Sequence, residues 1–150
     1  MFAADVMNTT PTTLKSTDTI RTASQYIMKY RCRQLPVVDD DGRYVGIFGV
    51  NCLLKQVLPK AAIMEQGLES LSFIHEDLSD LHARLHSVEN QPITVCMNTE
   101  ANTVPPDHPM LETLLLLYRS RISIPVVDPD SGMLLGMISY WDIGERILTA

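Results

Sequence analysis

One twenty-residue pattern occurs twice in this chain, and the duplication limits the folds open to it more than any other feature. LPVVDDDGRYVGIFGVNCLL begins at Leu35 and IPVVDPDSGMLLGMISYWDI at Ile124. Both run through a proline, two valines, an aspartate, an acidic turn with glycine, an apolar strand with an internal glycine, and an apolar run. Gly46 recurs as Gly136, and Met7-Asn8-Thr9 as Met97-Asn98-Thr99, each displaced by 90 positions, whereas Pro36 and Pro125 are displaced by 89. The helical part of the second copy is therefore one residue shorter. Its turn, Asp128 to Gly132 against Asp39 to Gly42, is one residue longer. One supersecondary unit has been used twice, each copy filling about half the chain.

Local pattern then assigns the elements. A turn of Pro, Asp, Ser and Gly between β-branched or apolar flanks predicts an antiparallel hairpin, Ile124 to Val127 with Leu134 to Ser139. Its counterpart is Leu35 to Val38 with Tyr44 to Phe48. Apolar positions at Ile20, Ala23, Ile27 and Tyr30 fall three and four apart, which predicts an amphipathic helix over Thr19 to Arg31 after the caps Ser16-Thr17-Asp18. Met110 to Arg121 is the leucine-rich equivalent. Val50 to Leu58 and Tyr140 to Leu148 are the closing helices. Phe2 to Thr13 reads as an extended lead-in to a short strand, Thr12 to Lys15, matched by Thr103-Val104. Each copy is thus strand, helix, strand, strand, helix. The expected organisation is repeat one over 1–58, an unrepeated helical insert over 59–91, and repeat two over 92–150.

The insert carries Leu71, Ile74, Leu78, Leu81, Leu85 and Val88 in gaps of 3, 4, 3, 4, 3, the seam of a long helix. Two readings fit it: a helix lying on its own module, or one pairing with a copy of itself. A chain of 150 residues with 45% hydrophobic and 20% charged residues suits one compact α/β module. The expectation is of two repeats sharing one core, with the Val37 and Val126 strands buried.

Bulk properties remove several function classes. The net charge is −6 with Lys and Arg scattered along the chain, so no phosphate-tracking stripe marks a nucleic-acid partner. No apolar run is long enough to span a bilayer, and the first residues lack a signal peptide's basic and apolar regions, so a cytoplasmic location is expected. Cys32, Cys52 and Cys96 form an odd set without a CxxC pair, which reads as buried, reduced thiols. His82 and His86 stand i, i+4 without a HExxH frame or a third ligand, and are read as a solvated face, not a metal site. With no nucleophile–base pair, paired metal ligands or GxxxxGK loop, no enzyme is expected and no cofactor is implied.

One ending carries more chemistry. Ser139 and Asp142 lie three apart, where a strand gives way to a helix. They can cap the helix's free N–H groups, or face a ligand at the strand's carboxyl end. Trp141 beside them is either a stacking platform or an anchor between the repeats.

The two copies together resemble the CBS domain, named for cystathionine β-synthase. Its repeat has this element order, an apolar-Pro-Val-apolar-Asp strand, a glycine turn, and a Gly-apolar-apolar-Ser/Thr-x-x-Asp ending. The match runs through Leu35-Pro36-Val37-Val38-Asp39 with Gly42 and Gly46, and through Ile124-Pro125-Val126-Val127-Asp128 with Gly132 and Gly136. The resemblance implies a pseudo-twofold pair, the Bateman module, whose clefts bind adenine nucleotides or similar molecules. It implies that Asp142 takes ribose hydroxyls and Ser139 contacts phosphate. Thr12, Thr13, Arg33 and Gln34 of the other repeat would then line the adenine side, and Arg33 can neutralise phosphate. The other cleft departs from the pattern, since Gly49 and Cys52 replace the Ser/Thr and the Asp. Its lining would include Thr103, Ile122 and Ser123. The implied function is a regulatory module sensing AMP, ADP, ATP or S-adenosylmethionine, as a homodimer and acting on a protein target. The alternative is a ligand-free dimerisation or protein-interaction scaffold.

Overall fold

Repeat one opens differently from its expected extended form. The computed structural model describes residues 1–64 and 75–150, and a short helix, α1, spans Ala3–Val6. The Asp5 carboxylate turns back to accept from the backbone N of Phe2 at 2.7 Å, which closes the helix start. Ala3 and Val6 are buried, and what covers them belongs to the other repeat. The expected lead-in strand is reduced to β1, Leu14–Lys15.

The remaining elements of the repeat follow. Helix α2 is Ile20–Tyr30, with Thr19 capping Thr22 N and Ile20, Ala23 and Ile27 forming the buried stripe. β2 is Gln34–Val38, β3 Tyr44–Gly49 and α3 Val50–Val57. β1 pairs parallel with β2, and β2 antiparallel with β3. Repeat two gives α6 (Met110–Ser120), β4 (Ile124–Val127), β5 (Leu134–Ile138) and α7 (Tyr140–Thr149). Here the lead-in strand shrinks to a parallel bridge between Val104 and Val126, the counterpart of Leu14 with Val37. The repeated aspartates shape the turns. Asp39 Oδ1 accepts from Asp41 N and Arg43 N at 2.9 Å each, and Asp128 accepts from Asp130 N and Ser131 Oγ. The Ser131 hydroxyl holds the Asp128 carboxyl below its usual range. Gly42 (φ 85°) and Gly132 (φ 77°) supply the left-handed residue each turn needs.

The insert contains α4, Lys60–Met64, and α5, Leu78–Val88. The expected helix from Leu71 is not continuous with α5. His75 to Asp77 are non-helical, and the Asp77 carboxylate caps Ser79 N and Asp80 N, which fixes the start at Leu78. Leu71 and Ile74 lie outside the described residues. Of the described seam, Leu78 is 82% exposed, whereas Leu85 and Val88 pack on the core of repeat one. Arg84 ties α5 to its own module by donating to Val57 O at the end of α3, and it pairs with Glu76. The C-terminal part of the insert therefore lies on its own module.

The expectation of a single core needs correcting. The buried apolar residues form two clusters. One holds Leu14, Ile20, Ile27, Val37 and Phe48; the other holds Val6, Leu117, Ile124, Val126 and Ile138. Each is completed by the opposite repeat. Ile93, at the start of a single 3₁₀ turn (Ile93–Val95), is buried in the first cluster, and Ala3 and Val6 in the second. The chain crosses over to do this at two equivalent places. Asn8 pairs with Met137 through N–H···O bonds of 2.8 and 3.0 Å, and Asn98 with Ile47 through bonds of 2.8 and 2.9 Å. These crossings explain two repeated motifs. Both asparagine side chains fold an Asx turn, Asn8 onto Thr10 N and Asn98 onto Glu100 N. The glycines make room: a Cβ on Gly136 would lie 2.7 Å from Asn8 O and 2.6 Å from Met7 Sδ, and one on Gly46 2.9 Å from Asn98 O. A second junction joins the hairpin turns, where Tyr44 N donates to Gly132 O and Leu134 N to Gly42 O. No helix among the described residues is long and apolar enough to cross a membrane.

Gly136→Ala is expected to lower stability by about 1–3 kcal/mol, because the Asn8 backbone carbonyl, held in the crossing, occupies the space together with the Met7 side chain. Gly144, in the middle of α7, has nothing within 4 Å of its notional Cβ. Gly144→Ala should therefore raise stability by roughly 0.5–1 kcal/mol through helix propensity alone. Thermal or urea unfolding of both variants checks the pair. Equal effects of one sign would mean that the crossing does not constrain Gly136.

Candidate functional site

The crossing of residues 8 to 12 over β5 places the lead-in of repeat one against the carboxyl end of repeat two's hairpin. A cleft of about 320 Å³ lies between them, within the range of small-molecule sites. Its walls include Thr12, Arg33, Gln34, Ser139 and Asp142, five of the six residues read from the sequence. Thr13, which precedes β1, is exposed and does not line it.

Ser139 and Asp142 make a reciprocal cap. Asp142 N donates to Ser139 Oγ at 3.2 Å, while Ser139 N (3.1 Å) and Ser139 Oγ (2.8 Å) donate to Asp142 Oδ2. The capping reading is thus met, and it occupies one carboxylate oxygen. Asp142 Oδ1 has no hydrogen bond among the described residues, so the same side chain can still accept from a molecule in the cleft. Gln34 is also partly engaged: its Oε1 accepts from Ser123 N at 2.8 Å, a bond between the repeats. Tyr140, the first residue of α7, donates its hydroxyl to Leu117 O at 2.9 Å and so braces α7 against α6.

Sequence reasoning missed several lining residues. Asn8 and Pro11 arrive through the crossing. Tyr30 and Cys32 come from the end of α2, and Arg121 from the end of α6. Burial pushes the Cys32 thiol above its ordinary value. Arg121 adopts φ 59° at the C-cap of α6, and Arg31 φ 53° at that of α2. Their 90-residue spacing was visible, but two arginines in the left-handed region carry no sequence signature. Trp141 also lines the cleft and is 79% exposed, which removes the reading of it as an anchor between the repeats.

The pseudo-symmetric cleft is closed down. Its cavity is about 80 Å³, room for only a few waters at roughly 30 Å³ each. The cap geometry persists with sulfur in place of the carboxylate: Gly49 N donates to Cys52 Sγ at 3.4 Å. A Cβ on Gly49 would lie 2.9 Å from Arg33 O, so a serine would not fit there without movement. The backbone itself has closed on this end, beyond the loss of two polar groups. Ile122 lines this cavity as expected from the resemblance, but Ser123 lines the first cleft instead, and Thr103 is exposed and lines neither. Among the described residues, no three His, Cys, Asp or Glu side chains group to hold a metal ion, and His86 instead meets Glu89 at 3.1 Å.

Comparison with known proteins agrees with this architecture. The sequence model of the CBS domain matches residues 3–58 and again 92–148. A comparison with curated proteins gave no significant match. Among solved structures, a putative acetoin utilization protein (AcuB) from Vibrio cholerae is similar, with a TM-score of 0.73 and 23% identity over 99% of this chain and 91% of that one. CBSX2, solved from Arabidopsis thaliana, was also solved in complex with AMP, and that structure has a TM-score of 0.70 and 18% identity over 99% of this chain and 96% of its own. The CBS domain pair of protein MJ0100, in complex with 5'-methylthioadenosine and S-adenosyl-L-methionine, has a TM-score of 0.64 and 20% identity over 98% and 99%. At these identities the likeness is one of fold. With the family's model matched twice and the fold shared across nearly the whole chain, the protein belongs to the CBS-domain family, as two CBS repeats in one α/β module.

Proposed function

We propose that this chain is a regulatory module that binds one adenosyl ligand in the Ser139–Asp142 cleft and signals its presence by a change of shape or of protein contacts. The observation that carries the reading is the asymmetry of the two endings. One has a cavity of about 320 Å³ with a carboxylate oxygen unengaged; the other has about 80 Å³, glycine and a thiol. The fold neighbours solved with AMP and with S-adenosyl-L-methionine support the choice of an adenosyl group. In this reading Asp142 Oδ1 accepts from ribose hydroxyls, Ser139 and Arg33 meet the phosphate side, and Thr12 with Gln34 flanks the base. Trp141 and Tyr140 shield the opening. The module works in the cytoplasm as a homodimer. Exposed apolar side chains on α6, Leu111, Leu115 and Tyr118, support the second copy.

Two measurements test this. A ligand at about 100 times its dissociation constant stabilises the fold by about 2.7 kcal/mol, a melting shift of roughly 5–10 °C for a chain of this size. Asp142→Ala should remove most of the ligand-induced shift, since a charged hydrogen bond contributes roughly 1.5–3 kcal/mol. Cys52→Ala should leave it nearly intact. The unliganded melting point of each variant is the control, because losing the cap alone costs about 1 kcal/mol. Equal losses in both variants would move the site to the other cleft. No shift with AMP, ADP, ATP or S-adenosylmethionine would favour the ligand-free scaffold. For assembly, light scattering should give twice the chain mass, and Leu111→Asp, on an exposed position of α6, should shift the protein towards the chain mass. A parent protein at the chain mass removes the dimer.

A further inference from the structure

Beside the Ser139–Asp142 cleft lies an open outer chamber of about 520 Å³, lined by Arg33, Tyr118, Arg119, Arg121 and Tyr140. Arg33, Arg121 and Tyr140 line both spaces, so the two adjoin. No carboxylate lines the chamber, and Asp142 is the one acid lining the inner cleft. Among the described residues none of the three arginines enters an ion pair. In a chain of net charge −6, three guanidinium groups without a partner at one opening form a local field opposite in sign to the rest of the molecule.

Helix polarity accounts for part of this. Arg119 stands in the last turn of α6, where the helix dipole favours a cation. Repeat one supplies the control. Lys29 and Arg31 hold the equivalent positions on α2, and Arg31 is also left-handed, yet neither lines the pseudo-symmetric cleft. The dipole explains a cation at each helix end. It does not explain why Arg33, from the other repeat, joins Arg119 and Arg121 around one space.

We propose that the cleft takes a nucleoside polyphosphate, its phosphate chain running outward from Ser139 to Arg33, Arg121 and Arg119. This rests on the adenosyl reading above and narrows it. A guanidinium offers paired donors that match phosphate oxygens, and the chamber gives a second and third phosphate room that a monophosphate leaves unused. A sulfonium ligand would bring a cation against three arginines.

Calorimetric titration of the full chain with AMP, ATP and S-adenosylmethionine tests the inference. ATP should bind at least about tenfold more tightly than AMP, the scale of one charged hydrogen bond, and added salt should narrow the gap. Arg119→Ala, at an exposed position, should weaken ATP by roughly tenfold and leave AMP within about twofold, because only the outer phosphates reach it. Arg121→Gly keeps the left-handed backbone and should weaken ATP in the same way. Inorganic tripolyphosphate should compete with ATP in the parent and less well in Arg119→Ala. AMP binding as tightly as ATP, or an ATP-to-AMP ratio unchanged in Arg119→Ala, would overturn the polyphosphate assignment and leave the adenosyl reading standing. Failure of every adenosyl compound to bind would remove both.

Discussion

The fold depends on a reciprocal exchange of backbone between its halves. Asn8 joins β5 at Met137, and Asn98 joins β3 at Ile47, each through a pair of short N–H···O bonds. Neither half is complete alone: without Ala3 and Val6 the second apolar cluster is open, and without Ile93 so is the first. The exchange has a steric condition, that Gly46 and Gly136 lack a Cβ where the crossing strand passes. It also has a consequence for function. The segment that crosses at Asn8 continues through Pro11 and Thr12, so the step that closes the core delivers one wall of the cleft.

Duplication gave two endings of one design, and they have diverged within the same backbone plan. Ser139 with Asp142 and Gly49 with Cys52 both close the first turn of a helix. The carboxylate needs one oxygen for that task and has a second to offer. The thiol has no such surplus, and without a Cβ at residue 49 the strand end settles against Arg33 O. Capping and ligand contact are therefore compatible roles for Asp142, not competing ones. Burial, and after that the neighbouring Cys52 thiol, push the Cys96 thiol up to about 11, where it packs against the core of repeat one.

Much of this was legible in the chain, and the rest was hidden for identifiable reasons. The hairpins, α2, α3, α6 and α7 follow from period and turn chemistry, since Val37, Val126, Gly42 and Gly132 sit where local rules place them. The repeat made Ser139 and Asp142 stand out against Gly49 and Cys52. Helix α1 was not legible, because four residues carry no periodicity and its partners lie about a hundred positions away. The break before α5 was masked by an apolar seam that runs through the Asp77 cap. The one-core expectation failed because repeat symmetry says nothing about which half each lead-in segment packs on. The arginines are scattered in sequence and meet only when the two repeats are set against each other.

In the proposed function one cleft of the two is competent. Native mass spectrometry of the full chain, titrated with ATP and with S-adenosylmethionine, counts bound ligands directly. Saturation at one ligand per chain, in the monomer or in each half of a dimer, is the expected result. Two ligands of similar affinity per chain would show that Gly49 and Cys52 do not disable the second cleft, and would contradict it.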